Sequence, residues 1–141
     1  MFWKIVFAML ILGLVIAQPK ITDFLLSKDP NTELDILSFS TDKKTYHSKE
    51  RMNVTIVIKS SDILENVSVK VYGIKDRHGN YRLNAEKSIN LSKGINTIPF
   101  TYTTPSCYGC AGINPGSYRL TGIVTYNGIA KNATCEIEIK R

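Results

Sequence analysis

Hydrophobic and polar residues alternate along the body of the chain with a period of two, which is typical of β-strands. Seven such runs occur, and turn-forming residues separate them. Their apolar-face residues are Leu37, Phe39 and Thr41; Met52, Val54, Ile56 and Ile58; Val67, Val69 and Val71; Ile89 and Leu91; Ile98, Phe100 and Tyr102; Tyr118, Leu120, Gly122, Val124 and Tyr126; and Ala133, Cys135, Ile137 and Ile139. No window has a convincing helical period. The pattern predicts an all-β fold, an antiparallel seven-stranded β-sandwich.

The last two runs predict a hairpin whose register can be read from the sequence. Asn127–Gly128 suits a two-residue type I′ turn, which places Tyr126 opposite Ile129. Continuing the pairing puts Leu120 opposite Cys135, so the apolar faces of both strands coincide. A slip by one residue would turn one of those faces outward. Cys135 is therefore expected to point into the sandwich.

The N-terminus has the pattern of an export signal. Lys4 supplies one positive charge, and Ile5–Ile16 is a continuous apolar run. Small or compact residues precede the junction of Ala17 and Gln18, as at a signal-peptide cleavage site. We expect a signal peptide over residues 1–17, cleaved between those two residues. An uncleaved signal-anchor helix is the alternative, although the apolar run is shorter than a typical membrane-spanning helix of about 20 residues.

Length and charge restrict the rest of the chain to a single modest domain. Residues 18–35 are expected to form a linker or stalk, and residues 36–141 the sandwich. The net charge is +6, from 18 basic and 12 acidic residues. The basic residues are scattered, which argues against a nucleic-acid partner. The expected partner is a protein or a cell-envelope component, and contact with a membrane is expected only through an uncleaved N-terminal segment.

Two stretches resemble immunoglobulin-like modules. Pro115–Leu120 resembles the entry to strand F of immunoglobulin-like and fibronectin type III-like domains, and Ser40–Tyr46 resembles the opening of bacterial and archaeal surface repeats of this kind. The resemblance covers about Leu34 to Lys140. Two family features are missing: Ser48–Glu50 replaces the usual glycine turn before strand B, and the buried Cys and Trp pattern of antibody domains is absent. The resemblance implies a secreted or cell-surface module that binds, spaces or displays.

Four N-x-S/T sequons are candidate glycosylation sites. They lie at Asn53, Asn66, Asn90 and Asn132. In each, the residue after the asparagine belongs to the apolar face of its strand. The four asparagines are therefore expected to face solvent.

The three cysteines are the feature of the sequence that points most directly to chemistry: Cys107, Cys110 and Cys135. In one interpretation, a loop cysteine forms a disulfide with Cys135 and staples the loop to the sheet. In a second, Cys107 and Cys110 are a redox pair or a local disulfide. In a third, the three thiolates bind zinc or an iron–sulfur cluster. A fourth ligand is then unaccounted for, since the two histidines, His47 and His78, are isolated.

The sequence contains no motif of a known catalytic centre, phosphate loop or EF-hand. We therefore expect a non-catalytic exported interaction module without a cofactor, acting through its loops or an edge strand. The first candidate contact surface is the loop Ser106–Pro115, with Tyr108, Gly109 and Gly112. That loop can equally be a plug that closes the sandwich. The alternative function is a secreted redox or metal-handling protein that uses the three cysteines.

Overall fold

The computed structural model describes residues 31–107 and 112–141, in which eight strands and no α-helix form. The strands are β1 Leu34–Thr41, β2 Thr45–His47, β3 Arg51–Ser60, β4 Leu64–Lys75, β5 Tyr81–Leu91, β6 Gly94–Thr103, β7 Gly116–Tyr126 and β8 Ile129–Lys140. The first strand thus begins inside the predicted linker. The predicted signal peptide and most of that linker lie outside the described residues. Within those residues, no helix is long and apolar enough to cross a membrane.

Two sheets pack face to face. One has the order β1-β3-β6 and the other the order β2-β8-β7-β4-β5. All pairs are antiparallel except β2 with β8, which is parallel and pairs Thr45 with Glu138. The predicted all-β sandwich is confirmed, but the prediction of seven antiparallel strands is wrong. The sequence pattern missed β2 because a three-residue strand offers only one buried position, Tyr46.

Alternating residues of the central strands form the core. In β3 and β4 the predicted inward residues are completely buried: Met52, Val54, Ile56, Ile58, Val67, Val69 and Val71. Their burial on facing sheets supplies the main favourable free energy of folding. The interior therefore follows directly from the period-two pattern.

The β7–β8 hairpin has the predicted register. Tyr126 pairs with Ile129 and Leu120 pairs with Cys135. Asn127 and Gly128 have positive φ angles of 43° and 77°, as a type I′ turn requires. Cys135 packs half-buried against the core, which confirms its expected direction.

A β-bulge changes the expected pattern in β1. The pairing with β3 shifts between Ile36 and Ser38, so Leu37 is the extra residue. Its side chain is 49% exposed instead of inward-facing. A bulge inserts one residue and thereby turns the side chains on one of its flanks to the other face. The alternation is restored at Phe39, which is buried.

The sandwich has two distinct ends, about 30 Å apart along the ten residues of β3. At the N-terminal end, Glu33 exchanges hydrogen bonds with Ser61, next to the β3–β4 turn. At the opposite end, which we call the loop end, Arg51 pairs with Thr103 just before the long β6–β7 loop. The chain therefore enters the sandwich at one end and presents that loop at the other.

Gly73 allows β4 to approach β7 closely at the loop end. A Cβ atom at this position would lie 2.6 Å from the backbone oxygen of Arg119 and 2.7 Å from a methyl carbon of Leu120. Gly122 is also tight, but its neighbours are side chains, with Phe39 ring carbons at 3.1 Å. A side chain can move aside more easily than a backbone carbonyl within a sheet.

We predict that Gly73→Ala destabilises the fold by about 3 kcal/mol, because overpacking against the backbone forces β4 and β7 apart. Gly122→Ala, the matched control, is expected to cost about 1 kcal/mol, because the Phe39 ring can shift. Urea denaturation of both variants measures the difference in the free energy of unfolding. Equal costs would contradict the close approach of β4 and β7.

Candidate functional site

Buried residues lie on both sides of the undescribed residues 108–111 in the long β6–β7 loop. Thr104 is 1% exposed and Cys107 is 7% exposed, while Ile113 on the far side is 1% exposed. Pro105 and the predicted contact residue Gly112 are also buried. These buried residues close the loop end of the sandwich, whereas Asn114 and Pro115 are exposed. Tyr108 and Gly109, the other predicted contact residues, lie outside the described residues.

A buried threonine fixes the start of the loop to the turn before β3. The hydroxyl of Thr104 donates to the backbone oxygen of His47 at 2.6 Å and accepts from the backbone N–H of Glu50 at 2.9 Å. The backbone of Thr104 also donates to Glu50 O at 2.8 Å and accepts from Lys49 N–H at 3.1 Å. These bonds satisfy polar groups that would be costly to bury unpaired.

Ser48 joins the same turn to the loop and to the end of β8. Its hydroxyl accepts from the backbone N–H of Cys107 at 2.8 Å and donates to Pro105 O at 3.3 Å. Its own N–H donates to the oxygen of Lys140 at 3.0 Å. Beyond the cysteine, Ile113 N–H returns to the oxygen of Ser106 at 3.1 Å and closes the base of the loop.

The turn adopts the conformation that glycine usually provides. Lys49 has a φ of 62°, in the left-handed region that costs an ordinary residue about 1 kcal/mol or more. The missing glycine noted in the sequence thus does not change the turn. The hydrogen bond from Lys49 N–H to Thr104 helps to hold this conformation.

We predict that Ser48→Ala speeds alkylation of Cys107 about fivefold. Loss of the two hydroxyl hydrogen bonds, worth about 1 kcal/mol, makes local opening of the loop easier. Peptide mass mapping after timed iodoacetamide exposure measures the rate at this thiol. Ser38→Ala, at an exposed position of β1, is the control, and Cys135 is the internal reference. An unchanged rate at Cys107 would mean that Ser48 does not hold the loop.

The corner between β1 and β2 depends on the buried hydroxyl of Tyr46. This hydroxyl donates to the carboxylate of Asp42 and accepts from the backbone N–H of Lys43 at 2.9 Å. The same carboxylate accepts from the backbone N–H of Asn53 at 3.0 Å. The bond from Tyr46 lowers the pKa of Asp42. Burial, followed by the bond to Asp42, raises the pKa of Tyr46 to about 12.

We predict that stability falls as pH rises from about 10 to about 12, because neutral Tyr46 is favoured by the fold up to its raised pKa. Below about pH 10 the phenol is neutral in both states and its contribution is complete. In Tyr46→Phe this alkaline loss disappears, and the last step of the tyrosinate absorbance titration disappears with it. Tyr126→Phe is the control and should keep that last step. If the last step of the titration persists in Tyr46→Phe, the raised pKa does not belong to Tyr46.

The predicted bridge from a loop cysteine to Cys135 does not form through Cys107. Both thiols are free. The sulfur of Cys107 lies 3.9 Å from the oxygen of Lys140, and Cys135 is five residues back along β8, about 17 Å away. A disulfide needs Cα atoms within about 7 Å, and ligands of one metal ion must also be adjacent. The distance excludes both for this pair. Cys110 lies outside the described residues.

Cys107 and Cys135 do not share a metal or redox centre, whereas the pairing of Cys107 with Cys110 stays a prediction because Cys110 lies outside the described residues. No group of three His, Cys, Asp or Glu side chains that could hold a metal ion occurs in the described part of the chain. Burial raises the pKa of Cys135, which favours the less reactive thiol form.

All four sequon asparagines are exposed, as their strand positions predict: Asn53, Asn66, Asn90 and Asn132. Two of them make specific contacts. The Asn53 amide donates to Asp42 at 3.3 Å, and the Asn90 side-chain oxygen accepts from Asn66 N–H at 3.1 Å. Their modification stays a prediction.

The sequence analysis missed an aromatic pocket on the outer face of the five-stranded sheet. The pocket has a volume of about 260 Å³ near the loop end. Its lining residues come from β4, β5 and β7: Tyr72, Ile74, Lys75, Tyr81, Ser117, Tyr118, Arg119 and Thr121. The signal for it was present, since tyrosines flank the β4–β5 turn on both sides.

Two tyrosine rings form one wall of this pocket, which we call the tyrosine pocket. The centroids of Tyr72 and Tyr81 are 5.0 Å apart with the rings at 69°, an edge-to-face pair. Tyr81 is 49% exposed. The ammonium group of Lys75 lies 5.6 Å from the centre of the Tyr81 ring. Arg119 supplies a second positive charge and forms an exposed ion pair with Glu136 at 3.4 Å.

The backbone beneath the pocket is strained. Ile74 has a φ of 55° although it is β-branched, and its side chain is 1% exposed. A β-branched residue in this region is unusual and costs energy. Ile74 lies between Gly73, which pairs with Leu83, and Lys75, which pairs with Tyr81.

Comparison by sequence identifies no relatives: no protein-family model and no curated protein matches this chain. Solved structures are similar in fold. The alkylpurine DNA glycosylase AlkC of Pseudomonas fluorescens has a TM-score of 0.59 at 16% identity, over 77% of this chain and 31% of that one. A β-glucosidase of Erythrobacter marinus also has a TM-score of 0.59, at 12% identity, over 77% of this chain and 16% of that one. This chain thus corresponds to less than a third of either enzyme.

The CARDB domain of a Pyrococcus furiosus protein is similar over nearly its whole length. Its TM-score is 0.53 at 15% identity, over 77% of this chain and 94% of that domain. Identities this low show the fold alone. The chain therefore has an immunoglobulin-like β-sandwich fold, which similar solved structures carry both in enzymes and in separate domains.

Proposed function

We propose that the protein is an exported, non-catalytic interaction module that is displayed at the cell surface or released from the cell. The observation that carries the proposal is the placement of the two ends. Asn31–Glu33 lie at the N-terminal end, whereas the tyrosine pocket and the base of the long loop lie at the loop end. An apolar N-terminal segment that attaches to a membrane would leave the loop end pointing outward.

The surface chemistry supports recognition by a face of the sandwich instead of an edge strand. On edge strand β5, Lys87 donates to the oxygen of Pro99 on β6 and lies 4.5 Å from the centre of the Phe100 ring. This lysine closes the gap between the two sheets. A charged side chain at an edge discourages the addition of another strand. The outer face of the five-stranded sheet remains open.

The loop makes a smaller contribution in this proposal than the sequence suggested. Its buried residues, among them Cys107 and Ile113, pack into the end of the sandwich, so they position the neighbouring surface and do not contact a partner. Tyr118, directly after the loop, donates its hydroxyl to the oxygen of Asn114 and also lines the tyrosine pocket. The loop and the pocket are thus one structural unit.

Protease accessibility of intact cells tests the proposal. Cells producing the full chain with an epitope tag after Arg141 are treated with a protease that does not cross membranes. We expect loss of the tag from intact cells, or its appearance in the medium, because the apolar run directs export. N-terminal sequencing then distinguishes a mature start at Gln18 from a retained anchor.

A cytoplasmic protein with the same tag is the control for cell integrity. A second control replaces Ile5–Ile16 with a polar sequence of equal length, which should keep the tag inside the cell. If the tag of the unaltered chain survives protease in intact cells and is absent from the medium, the proposal is wrong.

A further inference from the structure

The tyrosine pocket has the chemistry of a small binding site for one ring-shaped group. Ligand pockets for larger molecules have volumes of about 300–1,000 Å³. This one is slightly smaller, at about 260 Å³. It combines aromatic rings, two cations and hydroxyl groups, the last from Ser117, Thr121 and the tyrosines. Such a mixture fits a ligand with apolar faces, several hydroxyls and a negative charge.

We propose that the tyrosine pocket binds an acidic sugar residue of an extracellular or envelope polysaccharide. The apolar C–H face of a pyranose ring packs on the exposed ring of Tyr81, which Tyr72 supports from the side at 5.0 Å. A tyrosine provides this area with few rotatable bonds, so little conformational entropy is lost on binding. The sugar hydroxyls are then within the hydroxyl-lined part of the pocket.

The positive charges are placed to accept a carboxylate. Arg119 presents a planar fork of donors that matches a carboxylate in a bidentate arrangement. Its present partner, Glu136, is 3.4 Å away, and both side chains are 68% exposed. An exposed pair of this kind is worth little, so a ligand carboxylate can replace it at small cost. Lys75, over the Tyr81 ring, adds a second cation at the same wall.

The strand arrangement favours a sugar over an acidic peptide. Extended peptides are commonly bound by addition to a sheet edge, through main-chain hydrogen bonds. At the pocket, β4 pairs with both β5 and β7, and β7 pairs with both β4 and β8. Tyr72, for example, pairs with Asn84 on one side and Thr121 on the other. The backbone of β4 and β7 is thus occupied, and on edge strand β5 the charged Lys87 discourages strand addition, so we expect recognition to use side chains and ring faces.

This inference depends on the proposed export in one respect only, since acidic polysaccharides lie outside the cytoplasm. Binding itself is measured on the purified chain and does not depend on location. A chain that is exported and does not bind, or binds and is not exported, therefore separates the two proposals.

Isothermal titration of the full chain with a trimer of galacturonic acid tests the inference. The protein is kept in a polyoxyethylene detergent, which contains no sugar. We expect saturable binding that weakens with added salt, because ion pairing contributes. Tyr81→Ala and Arg119→Gln should each lower the association constant at least fivefold. Tyr81→Phe, which keeps the ring, should stay within twofold.

Three further measurements complete the test. Lys131→Gln, at the N-terminal end, should bind as well as the unaltered chain. A neutral galactose trimer should bind at least fivefold more weakly, and so should pentaglutamate. Melting curves verify that each variant is folded. The inference is wrong if the unaltered chain does not bind the acidic trimer, or if it binds the neutral trimer equally well or pentaglutamate more tightly. It is also wrong if Lys131→Gln lowers the association constant as much as Tyr81→Ala and Arg119→Gln do.

Discussion

The arrangement of both sheets depends on the hydrogen bonds that the buried hydroxyl of Tyr46 makes with Asp42 and Lys43. Between β1 and β2 the chain leaves the three-stranded sheet and joins the five-stranded one, and the turn that makes this change is held by the hydroxyl through Asp42 and Lys43. Because the phenol is buried at the centre of this corner, it must keep its hydrogen bonds, and the corner has little freedom to move. The carboxylate of Asp42 also accepts from the backbone N–H of Asn53 on β3. Tyr46 and Asp42 together therefore connect β1, β2 and β3. A local change at this corner would reach both halves of the sandwich.

The turn that follows β2 connects this corner to the loop end through hydrogen bonds. Ser48 and Thr104 connect this turn to the β6–β7 loop and to the end of β8, using hydroxyl groups that bond to backbone atoms. The buried residues of the loop, among them Thr104, Cys107 and Ile113, consequently close this end of the sandwich. The proposed recognition surface is the neighbouring outer face of β4 and β7. Structure and proposed function are linked here, because the plug fixes the strand ends that carry the tyrosine pocket.

The sequence specified most of the interior and little of the surface chemistry. Alternation predicted the buried faces, and Asn127–Gly128 predicted the last hairpin register, because both depend on neighbouring residues and backbone geometry alone. The inward position assigned to Leu37 was wrong, since a bulge depends on how the partner strand pairs. The pocket formed by Tyr72 and Tyr81 was missed for a related reason. Its two tyrosines flank the β4–β5 turn in the sequence, but they lie on different strands and meet only when β4 pairs with β5.

The parallel pairing of β2 with β8 has a mechanical consequence. β2 continues from the strand that enters at the N-terminal end, and β8 ends at the loop end beside it, with Lys44 and Ser48 bonded to β8 backbone at either side of β2. When the N-terminal side of the chain and the end of β8 are pulled apart, β2 and β8 are pulled in opposite directions along their common axis. The hydrogen bonds between them then carry the load together in shear, whereas the bonds of a hairpin pulled at its open end break one after another. Forced unfolding is governed by the unfolding rate, so a few bonds loaded in shear prolong the life of the fold under tension well beyond their share of its equilibrium stability.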